Sequence, residues 1–218
     1  MRILALDAAL ARCSAAVLAN GVVRAHEAAP GARGQPALLA PMAARVLEAS
    51  GHTAAELDAV AVTIGPGSFA GLRAAIALAH GIALAAGRPV IGVTVAEALA
   101  EALTLPSGRT LWVAIDSRRG RVFLDRDGTI APVALNALPR PSGKLAIAGD
   151  AAISVASRLA ARGADVMLTD ARLPDAIAVA RVAARHLLAG RHPPAQPLYI
   201  DPPEAKLPAG GLRPPPAT

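Results

Sequence analysis

Few residues in this chain have types and spacings that could do chemistry. The five histidines are His26, His52, His80, His186 and His192. No two of them stand four apart on a predicted helix face, so no pair is placed to grip one cation. The lone Cys13 falls in a predicted strand with no histidine paired to it, and reads as a small core residue. One cysteine excludes a disulfide within the chain and fits a reducing cytoplasm. Asp7 ends the apolar run Ile3 to Leu6. It could hold a metal through water, but it reads more simply as the cap of a turn at a strand end. Gly149-Asp150-Ala151 reads as a strand-to-helix turn rather than a nucleotide contact. The densest signal is Gly65-Pro66-Gly67-Ser68-Phe69-Ala70-Gly71-Leu72-Arg73, between an apolar run and an Ala-rich one. Gly65 and Gly67 permit positive φ, Pro66 suits position i+1 of a turn, and Ser68 suits a helix N-cap. Strand, glycine turn and helix start can present N–H groups to an anion, or can be only a tight connection. Neither the phosphate-loop nor the dinucleotide glycine pattern occurs in the chain.

The elements that must position these residues follow from periodicity. Arg2 to Leu6, Cys13 to Leu18 and Val22 to Ala28 read as three strands, with Asn20-Gly21 as a hairpin turn between the last two. A loop from Pro30 to Pro36 leads to a helix from Ala37 to Ser50, stopped by Gly51. Leu57 to Ile64 is a fourth strand and Phe69 to Ala86 a second helix. Val90 to Val93 and Ala96 to Leu103 follow as strand and helix. Leu105-Pro106-Ser107-Gly108 marks a lobe boundary. Strands are then expected at Leu111 to Ile115, Arg121 to Leu124, Ile130 to Leu135, Leu145 to Ala148 and Val166 to Leu168. Helices are expected at Ala152 to Arg162 and Asp175 to Leu188. The division is therefore residues 1–104, residues 105–203, and a Pro-rich mobile tail over 204–218.

The chain has 218 residues, of which 54% are hydrophobic, and a mean hydropathy of +0.44. Alanine supplies much of that figure. No uncharged apolar run reaches the ~20 residues of a membrane span, and Asp7 interrupts the apolar start that a signal peptide would need. The net charge is +6 and comes almost wholly from arginine, with Lys144 and Lys206 the lysines. Aromatic residues are 2% of the chain, so no stacking platform for nucleic acid is visible. Arg118-Arg119-Gly120-Arg121 reads as the solvated edge of a hairpin.

Several segments in order carry a resemblance. Ile3-Leu4-Ala5-Leu6-Asp7 is followed by Cys13 to Leu18, then by Leu57 to Thr63 running into the nine-residue glycine motif. Pro89 to Val93, Asp116 to Phe123 and Pro197-Leu198-Tyr199-Ile200 come later. This set resembles the bacterial TsaB (YeaZ) family over residues 1 to about 203. The resemblance implies an α/β, actin-like (ribonuclease H-like) fold of two lobes, with mixed sheets flanked by helices. It implies a non-catalytic, cytoplasmic subunit with no cofactor, metal or membrane, in the machinery that makes threonylcarbamoyladenosine beside the tRNA anticodon. Its partners would be the catalytic paralogue TsaD, an ATPase of the TsaE type and, through the complex, tRNA; alone it would be able to form a homodimer. The TsaD interface would lie on the first two helices, at Leu38, Leu39, Met42 and Val46 and at Phe69, Arg73, Ala77 and His80. These side chains could instead pack within the lobe. If they face the partner, Leu39→Glu with Met42→Glu abolishes pairing without unfolding.

The chain departs from the family pattern in places. The Thr and Ser usual after the first Asp are Ala8 and Ala9, which cannot hold a phosphate by their side chains. The metal-binding histidines of TsaD-type proteins fall on Val95 and Leu99. Gln35 replaces a usual His, Ala70 a Thr, Arg121 a Glu and Asp201 an Arg, and Ala74-Ala75 stands where a Gly often follows the motif's arginine. The alternative is a sugar-kinase-like ATPase with its own nucleotide site, which would depend on Asp7. A metallopeptidase finds no support in these residue types.

Overall fold

A computed structural model describes residues 1–31 and 35–200. The expected mobile tail at 204–218, the end of the second lobe at 201–203, the Asp201 departure and Ala32 to Gly34 lie outside the described residues. The chain runs β1 Arg2–Leu10, β2 Arg12–Ala19, β3 Val22–Pro30, α1 Gln35–Ser50, β4 Ala59–Gly65, α2 Phe69–Ala86, β5 Val90–Thr94 and α3 Val95–Glu101. The second half runs β6 Arg109–Asp116, β7 Arg121–Arg126, β8 Thr129–Ala134, β9 Lys144–Ala148, α4 Ala152–Ala160, β10 Val166–Leu168 and α5 Ala176–Leu188.

The first sheet has the order β3-β2-β1-β4-β5, and the second has the same order in its own strands, β8-β7-β6-β9-β10. In each, two antiparallel pairs precede two parallel ones: β1 pairs antiparallel with β2 and parallel with β4, as β6 does with β7 and β9. The lobes are thus structural repeats, although no repeat is visible by residue identity. The fold is α/β, actin-like, with two mixed sheets flanked by helices.

Strand alternation decides what each face of the first sheet meets. Leu4 and Leu6 point to one face with Val17, Val60 and Val62, where Leu39, Met42, Val46, Ala75 and Ala79 of α1 and α2 cover them. Ile3 and Ala5 point to the other face, which Ala176, Val179 and Ala183 of α5 cover. A sheet covered on both sides needs strands that are apolar on both faces, and β1, β2 and β4 are nearly so, with Asp7, Ser14 and Thr63 as their buried polar residues. In the second sheet, Trp112, Leu124 and Ile147 face α4, while Val113 and Ile115 face Leu10, Leu72, Val95 and Leu99 of the first lobe.

Three features differ from the reading by periodicity. β1 continues to Leu10, with a register irregularity between Asp7 and Leu10, so Asp7 lies inside a strand and not in the turn at its end. A short 3₁₀ turn, Ala54–Glu56, forms because Glu56 accepts hydrogen bonds from both the backbone N–H (2.8 Å) and the hydroxyl (3.0 Å) of Thr53. Finally, α5, from the second half of the chain, packs on the first sheet. Its start is fixed by Asp175, whose carboxylate accepts from the Ile177 N–H at 2.9 Å, and by Ser14, which accepts from the Ala176 N–H at 2.9 Å. Beyond α5, residues 193–200 run without regular structure along the first lobe. Gly92 N–H donates to Pro193 O at 3.0 Å and Leu198 N–H to Ile64 O at 2.8 Å, which covers the open side of the edge strand β5.

Candidate functional site

The glycine motif folds as strand, turn and helix. Ser68 caps α2 by accepting from the Gly71 N–H at 3.3 Å, and Gly87 ends the helix in the left-handed region. The Gly65–Pro66 peptide is cis, and Gly65 takes the positive φ expected of it. Gly67 does not. It is a glycine for lack of space, since a Cβ there would sit 2.2 Å from the Ala9 carbonyl oxygen. That oxygen accepts the Ser68 N–H at 2.7 Å, so the turn is bolted onto β1. The second lobe repeats the arrangement. A Cβ on Gly149 would sit 2.2 Å from Ala114 O, which accepts the Ala151 N–H at 3.1 Å. Both turns are built by close backbone approach. Gly149-Asp150-Ala151 is the strand-to-helix turn that its sequence indicates.

A cleft of about 890 Å³ opens between the lobes. That volume suits a small organic ligand. The β1–β2 hairpin contributes Ala9, Leu10 and Ala11 to it, the motif contributes Pro66 to Phe69 with Leu72 and Arg73, and the second lobe contributes Asp116 to Arg119, Phe123 and Asp150. The side chains of these three hairpin residues include no hydrogen-bond donor. Asp7, which a kinase-like site would need at the cleft, does not line it.

Asp7 is fully buried. Its Oδ1 accepts from the Thr63 hydroxyl at 2.6 Å and from the Ala9 N–H at 3.1 Å, while Oδ2 has no partner. Burial raises its pKa to about 7, against the smaller lowering by Thr63, Ala9 and the Arg12 charge. This carboxyl sits inside the fold, hydrogen-bonded to Thr63 and Ala9 and apart from the cleft lining. Val95 and Leu99, at the positions of the paralogue's histidines, are fully buried apolar residues. Among the described residues no group of three or more His, Cys, Asp and Glu is placed to hold a metal ion.

The second hairpin is held by its own polar groups. The Ser117 hydroxyl donates to Arg121 O at 2.7 Å, and the Arg118 N–H donates to Asp116 Oδ1 at 2.8 Å. Asp150 accepts from the Asp116 N–H at 2.8 Å, and burial pushes its pKa up. Arg118 therefore stands at the tip with 70% of its side chain exposed, 3.6 Å from Asp116.

Across the cleft, the Arg73 guanidinium lies 3.8 Å from the Phe69 ring centroid and 5.9 Å from that of Tyr199. It donates to the Tyr199 hydroxyl from Nε at 3.2 Å and from Nη2 at 2.9 Å. Tyr199 arrives on the segment after α5, and nothing in the local sequence around Arg73 signals it. The clue available was compositional, in how few aromatic residues the chain has. Phe123 and the Asp116–Asp150 contact were missed for the same reason, that their partners are remote in sequence.

The interface residues expected on α1 and α2 divide. Leu39, Met42 and Val46 are at most 2% exposed and belong to the core of the first lobe. This corrects their placement on an outer face, because the 3.6-residue period that unites them is the stripe a sheet-covering helix turns inward. Leu38 is exposed instead. Phe69, Arg73, Ala77 and His80 are exposed on α2, with Arg73 held by Tyr199 and His80 within 3.0 Å of Ala195 O. Ala70, Gly81 and Leu84 complete that outer face, and Leu84 is 85% exposed. Helix α2 is long and apolar enough to cross a membrane by length and composition, but its inner face, Leu72, Ala75, Ile76, Ala79 and Ala83, is committed to the lobe.

A family model described as TsaD, tRNA N6-adenosine threonylcarbamoyltransferase, matches residues 32–185. The tRNA threonylcarbamoyladenosine biosynthesis protein TsaB of Escherichia coli is 41% identical over 125 residues, 56% of this chain and 53% of that protein. The TsaB of Haemophilus influenzae is 33% identical over 58% of this chain and 53% of its own. The matched part thus spans about half the length of these curated relatives. The solved structure of YeaZ from Pseudomonas aeruginosa, 27% identical, superposes with a TM-score of 0.77 over 91% of this chain and 99% of that one.

Proposed function

The chain belongs to the TsaD family, with TsaB (YeaZ) proteins among its relatives, and from that premise we propose that it is a non-catalytic subunit of the tRNA threonylcarbamoyladenosine machinery. It holds a TsaD-type paralogue, which carries the transferase chemistry, and helps to seat a TsaE-type ATPase. The cytoplasm is its proposed location, in keeping with the single buried Cys13.

The observation that carries this reading is the outer face of α2. Ala70, Ala77 and Gly81 leave the helix backbone open to close approach, Leu84 stands out from it, and Leu38 is exposed on the neighbouring α1. A run of small residues with one projecting leucine gives a partner helix a flat bed and an anchor. The inner residues of both helices are already used by the sheet, so this face remains for another protein. In isolation the same face serves a second copy of the chain. The Ala9, Leu10 and Ala11 hairpin supplies the cleft with no phosphate-binding side chain, which is why a kinase-like activity is the weaker reading.

Light scattering coupled to size exclusion tests this with the chain and its TsaD-type paralogue from the same source. A mixed species that disappears on Leu84→Arg, with the melting temperature unchanged, is the expected result. Absence of a mixed species from the folded wild type, or a mixed species indifferent to Leu84→Arg and Ala77→Arg, overturns it.

A further inference from the structure

The chain has four aromatic residues, Phe69, Trp112, Phe123 and Tyr199, and three of them line the interlobe cleft. Packing does not account for the pair at the mouth. Phe69 is 63% exposed and Tyr199 58%, and they flank the Arg73 guanidinium instead of entering a core. Two exposed rings around a guanidinium present flat, polarisable surface on which a planar heterocycle stacks. On the facing hairpin the Arg118 side chain is 70% exposed and Arg119 is exposed beside it, whereas Asp116, 3.6 Å from Arg118, is 45% exposed and Asp150 is half-buried, so the carboxylates sit deeper than the guanidinium. Ala9, Leu10 and Leu72 close the cleft with apolar surface.

This order of charges selects an orientation. A ligand entering phosphate first would meet the Asp116 and Asp150 carboxylates and the apolar side chains of Ala9, Leu10 and Ala11, and would be repelled. A ligand entering base first finds apolar floor and rings for its faces and carboxylates for its exocyclic amino groups. Its phosphates stay outside among Arg73, Arg118 and Arg119. The geometry points to an unpaired nucleobase of single-stranded RNA as the occupant, held base-in and backbone-out. This rests on the reading above in one respect, that the family acts on tRNA. It adds an RNA contact on this subunit itself, at the N-terminal end of α2 where Phe69 and Arg73 border the cleft, about three turns of helix from Leu84.

Fluorescence anisotropy on the chain alone, at low salt, tests it with a labelled RNA hairpin carrying an open loop. A blunt RNA duplex of equal length and Mg-ATP serve as competitors. The hairpin is expected to bind at least about tenfold tighter than the duplex, and Phe69→Ala and Tyr199→Ala each to weaken it by about tenfold or more. Arg118→Ala is expected to lower the slope of log affinity against log salt by about one. All three positions are exposed, and unfolding curves of the variants establish that the fold is kept. No binding, equal binding of hairpin and duplex, indifference to the aromatic variants, or displacement of the RNA by Mg-ATP overturns the inference, the last in favour of a free-nucleotide site. Because the paralogue is absent from this experiment, failure to form a mixed species leaves it intact. A stable mixed species with no RNA binding defeats this inference alone.

Discussion

Asp7 shows how a single residue can look like chemistry and serve structure. In the sequence it is a carboxylate after an apolar strand, where it could hold a metal through water or cap a turn. In the fold it is buried with one oxygen unpartnered, and its pKa is raised from 3.8 to about 7 by loss of water. The folded state then holds a proton that the unfolded chain gives up near pH 4. Stability from this group is complete below the unfolded value, falls as pH rises through about 7, and is constant above it. Denaturant midpoints taken from pH 4 to pH 8 should fall across that window by an amount worth up to about 4 kcal/mol. Asp7→Asn, which still accepts from Thr63 and Ala9, should flatten that slope. Gly67 makes a second prediction at this scale. Gly67→Ala forces a Cβ against the Ala9 carbonyl and should cost about 2 kcal/mol in unfolding free energy, read by urea denaturation.

Helix α1 carries the lesson at the scale of elements. Its apolar spacing was legible, and the helix formed where the spacing put it. Which side of that stripe faces the protein was not legible, because period alone does not name the neighbour. Leu39 and Met42 belong to the core where α1 packs on β1, β2 and β3, and burying each side chain is worth about 1.5–3 kcal/mol. Leu39→Glu with Met42→Glu is therefore expected to unfold the first lobe, visible as loss of the cooperative thermal transition. This replaces the expectation that the pair would abolish association in a folded chain. On α2, Ser68→Ala removes the N-cap and should cost about 1 kcal/mol without affecting assembly.

At the scale of the whole molecule, two ties bring the C-terminal part of the sequence back to the first lobe. Helix α5 covers one face of the first sheet, and Arg12 in the β1–β2 hairpin donates to Leu173 O at 2.9 Å and to Pro174 O at 3.2 Å. The segment after α5 then lies so close to β5 that a Cβ on Gly92 would sit 2.3 Å from Pro194 O. Gly92→Ala should release residues 193–200, detected as faster amide exchange there and easier proteolysis. Because Tyr199 travels on that segment, the same substitution should also disturb the Arg73 stack.

Much of this protein was determined by its sequence alone. Strand and helix periods, the Asn20-Gly21 turn, the Ser68 cap and the ordered set of family segments are local or linear signals, and local physics sets them: alternation along a strand, the φ that a turn requires, an orphan N–H at a helix start. The tertiary structure decided what depends on neighbours remote in the chain. It buried Asp7 beneath Thr63, turned Leu39, Met42 and Val46 inward, and returned α5 to the first sheet. It also set Tyr199 against Arg73, 126 positions away. Burial, electrostatics and the gathering of sparse aromatic residues into one cleft are properties of distance in space, and a linear pattern carries no measure of that distance.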